Sequence, residues 1–549
     1  VTEQHLEDLK VKLAPLGFCT LQWLTEDKAI QCQMAAEITG AVNNNSFVIG
    51  LTSLHYRDPT VNIAPGPEVT ALGTVQVNSP TAQMLSSGFD IRLSDNLITL
   101  VSDSTTFWGF PLNQMLIRHD IQTGKGSLEG TGSTNADRLS SLITSNLPGA
   151  NIDSGKLDIK FSSDWDLGLP LEEGLNFEGS VDLANVGADY KQYQVELLGT
   201  ITAQIQNGDI NLVAKNFELS GLAIGELQLR HNLSTNLGSF SASINEDIKQ
   251  FTPLLKMAKL KKLSLLTGQF TGDVVLKWDI SDNTHNLEKA ITDARIKLLL
   301  DKVDLDFDSY QVREQTGGIT LSGWPEMKTE QKADLTIATI NIGLPIEAIA
   351  LSYDVTLNPL SGDLQIQGHN LTAEVLGGTA TSTDYWYQTS DQGEGMLNLT
   401  VEKLAMDQIL NLGRDDFDSS GHISGSVPVQ ITAGKLQIKH GYISAINPGG
   451  FIRYTPDESL KGAITTNTQM KLVVDTLADF QYHSLDAELT YSPEGDLVAR
   501  TALKGSNPAV ENGRPIHLNI QVEENLGTLL EGLRMSESLN KGIESRVRQ

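Results

Sequence analysis

The chain is poor in the residues that staple, stack or span. Only two of its 549 residues are cysteine, Cys19 and Cys32, which excludes a disulfide scaffold. They flank a stretch of strand and turn character. One bridge between them in an oxidising compartment and two unpaired thiols are equal expectations, because sequence spacing does not fix a Cα separation. Aromatic residues make up 6%, thin for a protein that must stack on polysaccharide, so Trp165, Trp278 and Trp386 read as core or groove packing. Basic residues are outnumbered, 40 Lys and Arg against 68 Asp and Glu, for a formal charge of −28. Nucleic-acid binding draws its affinity from Lys and Arg displacing counterions, so that class is excluded. A flat contact with anionic lipid head groups is excluded for the same reason. No apolar run reaches the roughly 18 residues of a membrane-spanning helix; the best window, Ile337 to Val355, contains Pro345, Glu347 and Asp354. The chain starts at Val1 without a signal sequence, and the expectation is that a preceding segment, with any membrane anchor, has been removed.

What is present is folding material. Hydrophobic residues at 40% and charged residues at 20% are too apolar for a disordered acidic chain. The length exceeds the roughly 250–300 residues at which single cores stop growing, which predicts several domains or one long body.

Period-2 alternation dominates, and it recurs behind glycine. Gly155, Gly208, Gly225, Gly272, Gly362, Gly395, Gly434 and Gly495 are each followed by an apolar residue at the second position and usually the fourth. Each reads as a turn glycine releasing a strand with one apolar and one polar face. The spacing is irregular, so no solenoid of fixed period is expected. Helical signals are few. Asn135 is placed to cap Leu139, Leu142, Ile143 and Leu147; a second helix is expected from about Asn245 with a kink or early stop at Pro253. A third covers Met406 to Leu412, and a last one follows Glu523-Glu524 and runs on through Leu539, Ile543 and Val547. The predicted fold is therefore mainly β: an elongated, curved antiparallel sheet forming a groove, with a few short capping helices. Three parts are expected: an N-terminal part of the groove (1–134), a central part with helical insertions (135–405), and a C-terminal region ending in an amphipathic helix (406–549).

Catalytic constellations are thin. The ten histidines are scattered, with no His-Glu-x-x-His or Cys-x-x-Cys to support zinc. Gly130-Thr-Gly132 lacks the third glycine of a dinucleotide loop and reads as a turn. Asp304, Asp306 and Asp308 resemble the start of a calcium loop, but Ser309 and Gln315 stand where its glycine and bidentate glutamate belong. Alternation explains the three better, as solvent-side carboxylates between Val303, Leu305 and Phe307. No metal, cofactor or catalytic residue is assigned.

The apolar strand faces need a cover: a second sheet, a curl of the same sheet, or something other than protein. Exposing a sixteen-carbon acyl chain to water costs about 13 kcal/mol at about 0.8 kcal/mol per methylene, so a lipid crossing an aqueous space needs a continuous apolar lining. On alternation alone a dry β-sandwich core is the simpler reading. The C-terminal third shifts it. There a short helix, Met406-Asp407-Gln408-Ile409-Leu410-Asn411-Leu412, precedes Ser420-Gly421-His422-Ile423-Ser424-Gly425 and Gly441-Tyr442-Ile443-Ser444-Ala445. Pro448-Gly449-Gly450, Ile452-Arg453-Tyr454, Gly505-Ser506-Asn507-Pro508 and Gly513-Arg514-Pro515-Ile516-His517 follow. In order and spacing these resemble the AsmA-like family, most closely its YdbH-type members. Upstream of Met406 the likeness is one of style.

The resemblance implies a bridge-like protein of the Gram-negative periplasm, without enzymatic activity. It would be anchored in the inner membrane by a helix absent here and carry phospholipids toward the outer membrane. It also implies a small outer-membrane lipoprotein that extends the sheet by strand addition at the C-terminal end. Alternation then places the lipid-binding lining. Its first group is Leu157, Ile159, Phe161, Ile210 and Leu212, and its second Val274, Leu276, Trp278, Ile319 and Leu321. Leu364, Ile366, Leu436 and Ile438 follow, with Ile516, Leu518 and Ile520 at the end. A β-bulge between any two would flip the downstream set. The alternatives are a structural or scaffolding β protein of the envelope, and a periplasmic glycan-active enzyme on a β scaffold.

Overall fold

The computed structural model describes residues 6–535 apart from 16–19, 24–27, 32–33, 43–44, 58–67, 79–82, 108–109, 141–149, 191–192, 258–259, 261, 282–286, 390–392, 413–415, 457–467 and 511. Strands make up 73% and helices 9%. Thirty-three strands join one antiparallel sheet, and Thr20–Trp23 with Lys28–Gln31 form a separate hairpin. The large sheet is a meander. Strand Lys125–Asn135, for instance, pairs with Phe110–Asp120 on one side and Lys156–Asp166 on the other. Period-2 sequences build it because each strand turns one row of aliphatics and one row of polar residues to opposite faces.

Contacts divide the chain into two units, Val1–Ile244 with Val275–Thr292, and Asn245–Val274 with Asp293–Gln549. Within each unit the closest backbone contacts run chiefly between hydrogen-bonded neighbouring strands. The chain accordingly exposes 33066 Å², against about 19,000 Å² for a closely packed monomer of its mass.

Turn chemistry follows the glycine reading in part. Gly155, Gly208, Gly362, Gly434 and Gly495 do take positive φ. Gly272 and Gly395 instead lie inside strands Leu263–Asp279 and Glu394–Ala405, and Gly225 sits between two short strands. Gly130 and Gly132 are not a turn either: they lie in the middle of strand Lys125–Asn135. A Cβ at Gly130 would enter the Phe161 ring and one at Gly132 would meet Phe110, so bare backbone there makes room for aromatic side chains crossing from the neighbouring strands.

The helices are shorter than the pattern predicts. Asn135 precedes only a 3-10 turn, Ala136–Leu139, and its side chain makes no capping bond; Leu142, Ile143 and Leu147 lie outside the described residues. Asn245 remains in its strand, where its side chain accepts from Gln269 and Thr271. The cap is Asp247, whose carboxylate accepts from the Lys249 N–H, and Pro253 stands in the first turn of helix Thr252–Met257, where a missing N–H is harmless. Met406–Leu410 forms where expected but stops two residues before Leu412. Glu523 and Glu524 are the end of the final strand, Ile516–Asn525, and the last helix occupies 526–535. Its expected continuation, like Cys19 and Cys32, lies outside the described residues. Helix Thr468–Leu477 had no sequence signal strong enough to predict it.

Superposed on the meander is an internal duplication. Arg118-His119, Thr123 and Gly126-Ser127 recur as Arg230-His231, Thr235 and Gly238-Ser239; Gly155 and Trp165-Asp166 recur as Gly268 and Trp278-Asp279. The structures agree in detail. Asp120 Oδ1 accepts from the Gln122 and Thr123 N–H groups at 2.8 and 3.0 Å, and Asn232 Oδ1 accepts from Ser234 and Thr235 at 3.0 and 2.8 Å. Gly155, at φ 101°, lies against the Val186 backbone beside Asn185 at φ 49°; Gly268, at φ 118°, lies against Val303 beside Lys302 at φ 48°. Both valines are 1% exposed. The bulges at Leu183/Val186 and Leu300/Val303 are thus one device used twice.

Candidate functional site

Register carries the apolar residues of successive strands into continuous rows. In the first unit one row runs Leu112, Gly132, Ile159, Val181, Ile201, Ala214, Leu227 and Ala242 across eight strands. The next runs through Phe161, Gly179, Ala203, Leu212, Leu229 and Phe240. Ile210 lies one row further, opposite Ile205 and His231. Leu157, Ile159 and Phe161 join the core cluster of Phe110, Leu112 and Val186. In the second unit Val355, Ile366, Tyr387, Gly395, Ile431 and Leu436 form one row. Leu364 pairs with Leu357, Ile438 with Tyr491, Ile319 with Leu298 and Leu321 with Thr329. Ile516, Leu518 and Ile520 lie opposite Gly505, Leu503 and Thr501 and pack on the buried cluster around Phe480. Val274, Leu276 and Trp278 are half-buried along one edge of a strand that exposes Val275 and Lys277.

The predicted residues therefore share apolar faces, but few of them are sealed. Leu157 is 3% and Leu321 5% exposed, Leu436 is 49% exposed, and the others are half-buried. The opposite faces carry the charge. Alongside Ile159, Asp158 faces Asp182 on the next strand and Lys160 faces Ser180. A hydrogen bond from Ser133, and then Lys156, holds Asp158 below the usual carboxylate range. The three aspartates that mimic a calcium loop are otherwise engaged: Asp304 accepts from Thr267 and the Glu314 N–H, Asp306 pairs with Arg313 at 2.7 Å, and Asp308 with Lys262 at 3.0 Å.

Most buried polar side chains are paired, Ser419 Oγ being an exception. Ser87, Ser102 and Thr105, each no more than 2% exposed, close a hydroxyl triangle at 2.7 to 2.9 Å. Burial pushes the hydroxyls of Tyr353, Tyr385 and Tyr482 up, keeping them neutral donors; Tyr385 donates to the Ser352 carbonyl at 3.1 Å and Tyr482 to Ser420 at 2.8 Å. The Tyr385 ring crosses the bare Cα of Gly368.

Sequence reasoning found Trp278 but missed its partners. His231, Gly238 and Trp278 form a clip in which the indole crosses the glycine and its Nε1 donates to His231 Nδ1 at 3.3 Å. His119, Gly126 and Trp165 repeat it at 3.2 Å. The rings stack with interplanar angles of 24° and 21°. The duplicated Arg-His pair was the available signal.

At the C-terminal end the helix 526–535 folds back on its own unit. Arg534 Nη1 donates to the Ile342 carbonyl at 2.8 Å, the guanidinium lies 4.8 Å from the Tyr310 ring centroid, and a Cβ at Gly343 would collide with the Leu530 carbonyl. No helix among the described residues is long and apolar enough to cross a membrane.

No curated protein and no solved structure matches the chain. One family model does, over residues 60–548, and its description is YdbH-like, intermembrane phospholipid transport protein YdbH. The match reaches far upstream of Met406, so the family relationship is not confined to the C-terminal third, where the motifs resemble it most. An antiparallel sheet with long apolar rows and charged residues between them is thus the form taken here by a member of the YdbH-like family of intermembrane phospholipid transport proteins.

Proposed function

We propose that the chain is a periplasmic bridge along whose apolar sheet faces phospholipids pass between the inner and outer membranes of a Gram-negative envelope, and that it performs no catalysis. The observation carrying this reading is the row structure: six to eight strands in succession place apolar residues or glycine at the same level, most of the side chains half-buried, with Leu112, Ala214 and Val355 buried among them. Such a surface offers an acyl chain a track on which each methylene gains about 0.8 kcal/mol over water. Lining residues on this proposal are those predicted from the sequence, from Leu157 to Ile520. The acidic reverse keeps the sheet in solution and repels a second copy.

The bridge needs two ends. An inner-membrane helix preceding the chain would hold one. At the other, strand Ile516–Asn525 pairs with Asp496–Ser506 and with no further strand among the described residues. Its free edge suits strand addition by a small outer-membrane lipoprotein. Photo-crosslinkers at Ile366 and Leu436 test the reading in cells. Phospholipid adducts at these two sites and none at Gln365 and Gln437 are expected; equal labelling of both faces, or none, would sink it.

A further inference from the structure

The two histidine clips set a chemical problem that structure alone does not require. An indole Nε1 only donates. The imidazole Nδ1 facing it is therefore an acceptor in both clips, and in the neutral ring the proton sits on Nε2. Neither Nε2–H has a partner among the described residues. His119 follows Met115 and Ile117 on the apolar face, and His231 lies in the row of Ile210. Each clip thus holds a half-buried ring, fixed by a tryptophan and a bare glycine, with one unspent donor on the surface that otherwise presents hydrocarbon. Neither Nε2 is among the buried side-chain atoms left without a partner, so each donor is open to water and to any acceptor that a ligand brings to this surface.

An acyl chain has no acceptor. The groups of a phospholipid that do are its ester carbonyls and its phosphate, and a hydrogen bond to the anionic phosphate is the stronger. We infer that His119 and His231 are two equivalent head-group stations, each donating Nε2–H to a phosphoryl oxygen of a phospholipid whose chains lie on the adjoining apolar rows. The inference rests on the proposed transport of lipid along this face. Trp165 and Trp278 are positioning residues: they fix the tautomer and the ring orientation. Six strand steps separate the two histidines, on the order of 29 Å at about 4.8 Å per step, so one head group cannot reach both and each station serves its own lipid.

The test uses the full chain labelled with ¹⁵N-histidine, exposed either to phosphatidylglycerol vesicles or to monoolein, which has an acyl ester but no phosphate. Both Nε2–H resonances should shift with phosphatidylglycerol and stay in place with monoolein. Equal shifts with monoolein would overturn the phosphate assignment. Unmoved resonances in a chain that still yields phospholipid adducts at Ile366 would overturn the stations and leave the transport reading standing; absence of adducts as well would bring down both. His119→Ala and His231→Ala should each weaken phosphatidylglycerol retention about tenfold, and His119→Gln, which keeps a donor, should recover most of it. Trp165→Phe should move part of the His119 proton to Nδ1, visible in the ¹⁵N shifts, a change that a merely packing role would not produce.

Discussion

Residues 401–506 and residues 310–388 are made of the same hairpins, yet they finish differently. The first holds ten of the eleven buried side chains of one cluster, with Phe480 at 0% and Ile423 at 2% exposure; the eleventh, Ala380, comes from the second. Met406, Ile409 and Leu410 of one short helix and Leu477 of another pack on it. The second has a cluster with three buried residues, Ile337, Ile349 and Ala373, ringed by half-buried aliphatics. What separates them is how helices lie against them: Met406–Leu410 and Thr468–Leu477 pack into the first cluster, whereas helix 526–535 touches the second region at Tyr310, Ile342 and Gly343. The face packed by two helices holds more fully buried side chains than the one a helix meets at its margin.

Four measurements would break or sharpen that contrast. Phe480→Ala should have the largest effect, destabilising by about 4 kcal/mol in denaturant unfolding, since a fully buried ring leaves a cavity. Asn507→Ala comes next. Its amide donates to the Asp475 and Thr476 carbonyls at 3.0 Å each, so its loss should cost about 2 kcal/mol and speed hydrogen exchange in helix Thr468–Leu477. Ile366→Asp, in the second region, should cost only about 1 kcal/mol while abolishing lipid adducts at neighbouring positions. If it proved as damaging as Phe480→Ala, the two regions would be equally sealed and the contrast would fail. The smallest effect is expected at the Arg295–Glu330 pair, 2.7 Å apart at the margin of the second region. Its hydrogen bond to Arg295 holds Glu330 below the usual carboxylate range, so its contribution is present above the unfolded carboxyl pKa and lost as pH falls through the depressed folded one. A small Tm difference between the wild type and Glu330→Gln at neutral pH should close on acidification.

Alternation made the strands and their faces legible, because Leu364, Gln365, Ile366 and Gln367 state the inside and the outside residue by residue. It could not state the bulges. In strand Asp363–Val375 the apolar face passes from Leu364 and Ile366 to Leu371 and Ala373, a change of parity absorbed between Gly368 and Asn370. Glycine was legible only as a turn former, although Gly126, Gly130, Gly238 and Gly368 are in strands because aromatic rings lie across them. The clips were hidden because their three members come from three strands and meet only through register. The duplication is one long repeat with few identical positions, which short regular periods do not reveal.

The meander has a kinetic corollary. Most pairings join strands adjacent in the chain, so the sheet can grow one hairpin at a time as the polypeptide emerges, with little loop entropy to overcome at each step. Ties such as Arg534 to Ile342, spanning 192 residues, form only once the last strand has docked. The helix 526–535 thus reports completion: its protection from exchange would mark the moment at which the whole second unit has been built.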